Sequence, residues 1–195
     1  EGAGVRVGGL VGVVSASANS PLTVGLDLQV REVSWQSLRA DSGRIQVDLS
    51  PEGEARVSAS LVDQGRPLLE VQGLGWPEEG RLELSTLTLS PRGYDPWRLS
   101  EPAQVNWIGT ESGGARLSMS SRSGRLVFEG QVEEGPLTAE LDLSGLELAW
   151  LEAALPVVGW TGQSDLLLQV GGTRDNILLE GQLTGRGPLQ HPRAS

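Results

Sequence analysis

Apolar and polar residues alternate with a period of two along most of this chain. Leu22, Val24, Leu26, Leu28 and Val30 are separated by Thr23, Gly25, Asp27 and Gln29. Successive side chains of an extended strand point to opposite faces, so this run predicts a strand with one apolar and one polar face. Ile45, Val47 and Leu49 repeat the pattern around Gln46 and Asp48, and Ala55, Val57, Ala59 and Leu61 repeat it around Arg56, Ser58 and Ser60. Leu82 and Leu84 keep one frame and Leu87 and Leu89 another, which predicts a β-bulge near Ser85 and Thr86. The second half continues with Ala115, Leu117 and Met119, then Leu137, Ala139, Leu141 and Leu143. Leu166, Leu168 and Val170 follow, and Ile177, Leu179 and Leu183 close the series. One-sided strands of this kind belong to antiparallel meanders, because parallel α/β sheets are covered on both faces.

Turn-forming clusters separate the strands. They are Ser50-Pro51-Glu52-Gly53, Asp63-Gln64-Gly65, Pro77-Glu78-Glu79-Gly80, Glu133-Glu134-Gly135 and Thr173-Arg174-Asp175-Asn176. A strand-turn unit recurs weakly. Gly43-Arg44-Ile45 running to Ser50-Pro51-Glu52-Gly53 resembles Gly80-Arg81-Leu82 running to Ser90-Pro91-Arg92-Gly93, and Gly124-Arg125-Leu126 echoes its opening. Repetition of one unit points to an elongated stack in which each unit contacts its neighbours. One helix is predicted over 145–155. Ser144 and Glu147 fit a capping box, Leu148, Leu151 and Leu155 share a helical face, and Pro156 ends it.

Composition narrows the interior. The chain has 195 residues, 38% of them hydrophobic, with one Phe and one Tyr. That is thin for a large compact core and suits a single sheet folded over on itself. The 27 Gly and 11 Pro favour many short strands. The sequence is expected to be a single β-repeat segment over 1–195, part of a longer protein. No run approaches the roughly 20 apolar residues of a membrane-spanning helix.

Charge and side-chain inventory exclude several chemistries. The net charge is −10, all 15 basic residues are Arg, and no basic stripe is visible, so nucleic acid is not an expected partner. With no cysteine, disulfides, thiolate catalysis and Cys-based zinc sites are ruled out. The single histidine, His191, lies four residues from the C-terminus and does not suit a catalytic triad. The carboxylates Glu78-Glu79 and Glu133-Glu134 fall at predicted hairpin tips. Asp175-Asn176 offers too few oxygens for calcium, and Gly171-Gly172-Thr173 precedes a strand where a phosphate loop needs a helix. The chain is therefore read as non-enzymatic, with no cofactor and no metal. Six tryptophans, Trp35, Trp76, Trp97, Trp107, Trp150 and Trp160, fit either a groove rim or the packed ends of a thin core.

The clearest unit, 135–187, resembles a known family. Pro136-Leu137-Thr138-Ala139-Glu140-Leu141-Asp142-Leu143-Ser144-Gly145-Leu146-Glu147-Leu148 leads to Ala154-Leu155-Pro156. Gly162-Gln163-Ser164-Asp165-Leu166-Leu167-Leu168-Gln169-Val170-Gly171-Gly172-Thr173 then passes through Asp175-Asn176 to Leu178-Leu179-Glu180-Gly181-Gln182-Leu183. This is similar to the TamB/AsmA-like family of the translocation and assembly module, although members usually carry Pro soon after the Gly-Thr. The resemblance implies a U-shaped β-groove, or β-taco, in the periplasm, as part of a protein anchored in the inner membrane. It implies a role in shielding phospholipid acyl chains in transit, or in outer-membrane protein assembly with an Omp85-class partner. The residues expected to line the groove are Leu22, Val24, Leu26, Leu28, Val30, Ile45, Val47, Leu49, Leu82, Leu84, Leu137, Ala139, Leu141, Leu143, Leu166, Leu168, Val170, Ile177, Leu179 and Leu183. A purely structural β-module without a ligand is the alternative.

Overall fold

The computed structural model describes residues 5–17, 23–35, 38–108, 112–133, 135–147, 162–173 and 176–186. They form one antiparallel sheet of 13 strands. The first six are β1 (Val5–Ser17), β2 (Thr23–Trp35), β3 (Leu38–Leu49), β4 (Ala55–Asp63), β5 (Arg66–Trp76) and β6 (Arg81–Leu89). Two short strands follow, β7 (Trp97–Leu99) and β8 (Ala103–Ile108). The last five are β9 (Ser112–Ser120), β10 (Arg125–Val132), β11 (Pro136–Glu147), β12 (Gln163–Thr173) and β13 (Asn176–Arg186). The chain is an all-β meander, as the alternation predicts. The one helical turn among the described residues is the 3-10 turn Pro77–Glu79.

Each strand pairs with its sequence neighbour except around β7 and β8. Both lie between β6 and β9: β7 pairs at Leu89 and Met119, and β8 pairs farther along at Leu82 and Ala115. They are two pieces of one strand, broken at Ser100-Glu101-Pro102. Pro102 has no N–H to give to a ladder, which makes this a natural break.

The turns follow their residues. Gln64 and Gly65 both have positive φ (48° and 75°), the two-residue geometry that matches the twist of a hairpin. The glycines of the repeated Ser-Pro-x-Gly segments both have positive φ, Gly53 at 82° and Gly93 at 86°, but the turn closes from the Gly53 N–H to the Ser50 carbonyl in one and from the Tyr94 N–H to the Pro91 carbonyl in the other. The predicted bulge is present: Gln72 pairs with Thr86 and Gly73 with Leu84, leaving Ser85 as the extra residue. Its hydroxyl donates to the Gln72 carbonyl at 3.3 Å.

The helix prediction is corrected at its start. Residues 145–147 continue β11 as strand, while 148–155 lie outside the described residues. Leu143 pairs with Leu166 and Leu146 with Ser164, so Ser144 and Gly145 together face the single residue Asp165. The three-residue spacing of Leu143 and Leu146 therefore comes from a bulge and not from a helical turn.

The buried core is small. It comprises Val30, Ala40, Ala55, Trp97, Ala103, Met119, Leu143 and Leu146. Trp97, Met119, Leu143 and Leu146 form one cluster, with Leu87, Leu89, Leu99, Leu117, Leu126 and Leu166 packed against it. Elsewhere the apolar side chains are half-buried or exposed, with Ile45 and Leu49 at 38% and 37% exposure and Leu179 at 67%. A second packed sheet would bury such positions. All described strands belong to one hydrogen-bonded sheet.

Candidate functional site

Strand register sorts the side chains into rows that cross the sheet. Residues directly opposite each other in an antiparallel pair share a face. Starting at Val24, the partners are Leu49, Ala55, Gly75 and Leu82 in β3 to β6. The row continues through Val105, Ala115 and Gly130 in β8 to β10, then Ala139, Val170 and Leu179 in β11 to β13. Every member is Gly, Ala, Val or Leu. At ~4.8 Å per strand the row runs for roughly 50 Å.

The neighbouring row, one residue along each strand, has the opposite character. It begins Ser15, Gly25, Asp48, Arg56, Leu74 and Glu83. It goes on through Gln104, Arg116, Glu129, Glu140, Gln169 and Glu180. Leu74 is its one large apolar member. The strict alternation in sequence is thus carried in phase across the whole sheet.

All of the predicted lining residues within the described part fall on the apolar face. Leu26 and Val47 are opposite each other, as are Leu28 and Ile45, and Val30 lies opposite Gly43. Leu141 and Leu168 pair, Leu143 and Leu166 pair, and Leu137 faces Gly172, which faces Ile177. Leu183 lies opposite Leu166, and Leu84 opposite Gly73. Leu22 lies outside the described residues. The Ser85 bulge keeps Leu87 and Leu89 on the same face as Leu82 and Leu84, since Leu87 pairs with Val71 and Leu89 with Leu69.

The lining prediction omits Leu69, Val71, Val105, Leu117 and Phe128, which share the face. In β5 the alternation Leu69, Val71, Gly73, Gly75 hides its apolar frame behind two glycines. Of the two, Gly73 serves the packing. A Cβ on Gly73 would lie 2.9 Å from a Leu84 methyl group. One on Gly43 would lie 2.6 Å from Leu61, and one on Gly181 would lie 2.7 Å from Leu168. Leucine side chains lean across the face into glycine seats on the next strand.

The tryptophans divide by position. Trp97 and Trp107 both project from the apolar face, at opposite ends of the broken strand β7/β8. Trp97 is buried at 6% and Trp107 is 40% exposed. Trp76 lies on the polar face, where the Arg81 guanidinium stacks 3.9 Å from its ring centroid. Trp150 and Trp160 lie outside the described residues.

Ion pairs belong to the polar side of the sheet and its turns. Arg44 makes a two-pronged contact to Asp27, with Nε donating to Oδ1 at 3.0 Å and Nη2 to Oδ2. That hydrogen bond holds the Asp27 carboxyl below its ordinary range and raises the guanidinium above its own. Arg56 to Glu54 (3.5 Å), Arg81 to Glu79 (3.2 Å) and Arg116 to Glu101 (3.7 Å) are exposed pairs worth little individually.

The described residues hold no cluster of His, Asp or Glu suited to a metal. Glu78 and Glu79 lie exposed in the 3-10 turn, and Glu133 lies at the β10–β11 turn. Gly171, Gly172 and Thr173 are the last residues of β12 and no helix follows them directly. Asp175 and His191 lie outside the described residues. A shallow cavity of about 370 Å³ joins Glu129, Glu140 and Gln169 with Gly130, Ala139 and Val170. There the Gln169 amide donates to the Glu140 carboxylate at 3.1 Å, a cross-strand contact within the polar row. No described helix is long and apolar enough to cross a membrane. The chain matches no protein-family model, no curated protein and no solved structure.

Proposed function

We propose that the apolar face is the wall of a hydrophobic groove that holds lipid acyl chains, in a non-catalytic segment of a cell-envelope protein. One observation carries this reading: an unbroken apolar row crosses every strand position from β2 to β13, next to an almost wholly polar row, and much of the apolar face stays half-exposed. Contiguous exposed apolar surface beyond a few hundred Å² is uncommon in monomeric soluble proteins unless something binds it. Between Val24 and Val30 the band is about 20 Å deep along the strand. Each methylene of an acyl chain buried on it contributes about 0.8 kcal/mol. In this reading the groove is U-shaped and lined by the leucines and valines of the apolar rows.

The resemblance of 135–187 to the TamB/AsmA-like family supports a periplasmic setting, with phospholipid as ligand and an Omp85-class outer-membrane partner reached through the parent protein. Its role there is phospholipid movement between membranes or assembly of outer-membrane proteins. A phospholipid carrying a photoreactive group in its acyl chain tests the reading. Labelling is expected on Leu141, Leu168 and Val170 and not on Glu140 or Gln169. Labelling spread equally over both rows would remove the groove from consideration and leave a ligand-free structural module.

A further inference from the structure

One end of strands β4 to β6 carries a cavity that the groove reading leaves unused. It measures about 520 Å³, within the roughly 300–1,000 Å³ of small-molecule sites. Its walls are the β4–β5 hairpin and the Ser90-Pro91-Arg92-Gly93 turn that follows β6, with Tyr94 beside them. Both walls are tied down by backbone groups. The Gln64 N–H donates to the Asp41 carboxylate at 2.7 Å, which holds the hairpin to β3. The Ser90 N–H donates to the Leu68 carbonyl at 2.7 Å, and the Tyr94 N–H to the Pro91 carbonyl at 3.3 Å.

The charges in this cavity run against those of the chain. The net charge is −10, yet two arginines, Arg66 and Arg92, line the cavity with a single carboxylate, Asp63. Neither guanidinium makes an ion pair or hydrogen bond with another described residue, unlike those of Arg44, Arg56, Arg81 and Arg116. The repeated turn makes the contrast sharper. Ser50-Pro51-Glu52-Gly53, at the opposite end of the strands, has Glu52 where this turn has Arg92.

The cavity also adjoins the apolar face. Leu61, Leu69, Leu89 and Trp97 form the last apolar row before this end of the sheet. Asp63 lies two residues beyond Leu61, about 7 Å along the strand and on the same face, and Arg66 stands opposite it. Groups of both charges therefore begin where the apolar band stops.

We infer that this cavity binds a phosphoethanolamine group, with Arg66 and Arg92 on the phosphate and Asp63 on the ammonium. A guanidinium donates paired hydrogen bonds in a fixed fork that matches phosphate. The lone carboxylate supplies the opposite charge that a zwitterion needs. Tyr94 is the one aromatic ring in the wall, so the cavity lacks the aromatic cage that holds a quaternary ammonium. A lipid as the source of this group rests on the groove reading, with acyl chains running from the cavity onto the row of Leu61, Leu69 and Leu89.

Glycerophosphoethanolamine, which has no acyl chain, is the probe. Added to the isotope-labelled chain, it is expected to shift the amide resonances of Gln64 and Arg92 saturably, and inorganic phosphate is expected to bind at least about tenfold more weakly. Arg66→Gln and Arg92→Glu are each expected to weaken the probe at least about tenfold, and Asp63→Asn to erase its preference over phosphate. Arg98→Gln, on the polar face, is expected to change nothing, and circular dichroism to stay the same for all four variants. Absence of a saturable shift, phosphate binding as tight as the probe, or unimpaired binding by Arg66→Gln and Arg92→Glu overturns the inference. Dihexanoyl phosphatidylethanolamine, kept below its micelle concentration, is expected to bind at least about tenfold tighter than the probe. Equal binding of the two would assign the site to a soluble phosphoethanolamine compound and count against the groove alone.

Discussion

Leu143 and Leu146 enter the same buried cluster although they stand three positions apart along β11. In a regular strand they would point to opposite faces. Gly145 resolves the conflict with φ 65°, adding one residue to the strand between them. The Asp165 carboxylate accepts its N–H at 2.9 Å, and Ser123 crowds it from the other side: a Cβ there would lie 2.1 Å from the Ser123 carbonyl oxygen. Backbone geometry, a hydrogen bond and the packing of two leucines all depend on this one glycine.

Gly145→Ala is therefore expected to destabilise the fold by about 2 kcal/mol or more, since strain at positive φ adds to a backbone clash. Gly53→Ala is the control: φ is 82° there, but the space around a Cβ is open. Its cost is expected to stay near 1 kcal/mol. Urea unfolding of the two variants checks the difference, and equal costs would mean that the Ser123 contact is unimportant.

Deletion of Ser85 is expected to be worse than any single substitution in β6. The bulge is what keeps Leu82 and Leu84 in phase with Leu87 and Leu89. A one-residue slip sends a set of side chains to the other face. The deletion variant is expected to lose its cooperative urea transition, whereas Ser85→Ala, which removes only the hydroxyl bond to Gln72, shifts the midpoint slightly.

Two tryptophans on one face differ in worth. Trp97 is the largest member of the buried cluster, while Trp107 sits 40% exposed at the other end of the face. Trp97→Ala is expected to cost about 3–5 kcal/mol, and Trp107→Ala less than about 1 kcal/mol. Fluorescence-detected unfolding of each variant measures both.

The Arg44–Asp27 pair predicts a local pH dependence. The folded state holds the Asp27 carboxyl below its unfolded value, chiefly through the hydrogen bond from Arg44. Its contribution is complete above the unfolded midpoint near ~3.9 and is lost as pH falls through the lower folded-state midpoint. Both groups are solvent-exposed, so the effect on global stability is small. A carboxyl-carbon NMR titration is expected to show Asp27 titrating below its value in the unfolded chain, with Arg44→Gln moving it back up towards that value.

The meander was legible in the sequence because its signal is local and repeated. Period-two alternation in 22–30, 137–143 and 166–170 names the buried face of each strand without knowledge of any partner. The Ser85 bulge was legible for the same reason, as a change of frame within one strand. The start of the helix expected over 145–155 misled because the Ser144–Glu147 pair fits a capping box as well as a bulged strand. Only the cross-strand contacts of Gly145 with Ser123 and Asp165 decide between them. The glycine seats were hidden too, because Gly43, Gly73 and Gly181 read as turn or breaker residues until a leucine from the next strand is placed over them. The break at Ser100-Glu101-Pro102, which sets Trp97 and Trp107 at opposite ends of one strand position, depends on pairing to both β6 and β9.

The most direct test is native mass spectrometry of the chain after incubation with phospholipid, compared with Leu141→Asp, Leu168→Asp and the polar-row variant Gln169→Asp, all checked for unchanged circular dichroism. The unmodified chain and Gln169→Asp are expected to retain lipid adducts, and the two apolar-face variants to lose at least about nine-tenths of them, as expected when a charge is placed where acyl chains pack. Equal lipid retention by all four proteins, or none by the unmodified chain, would contradict an acyl-chain groove on this face.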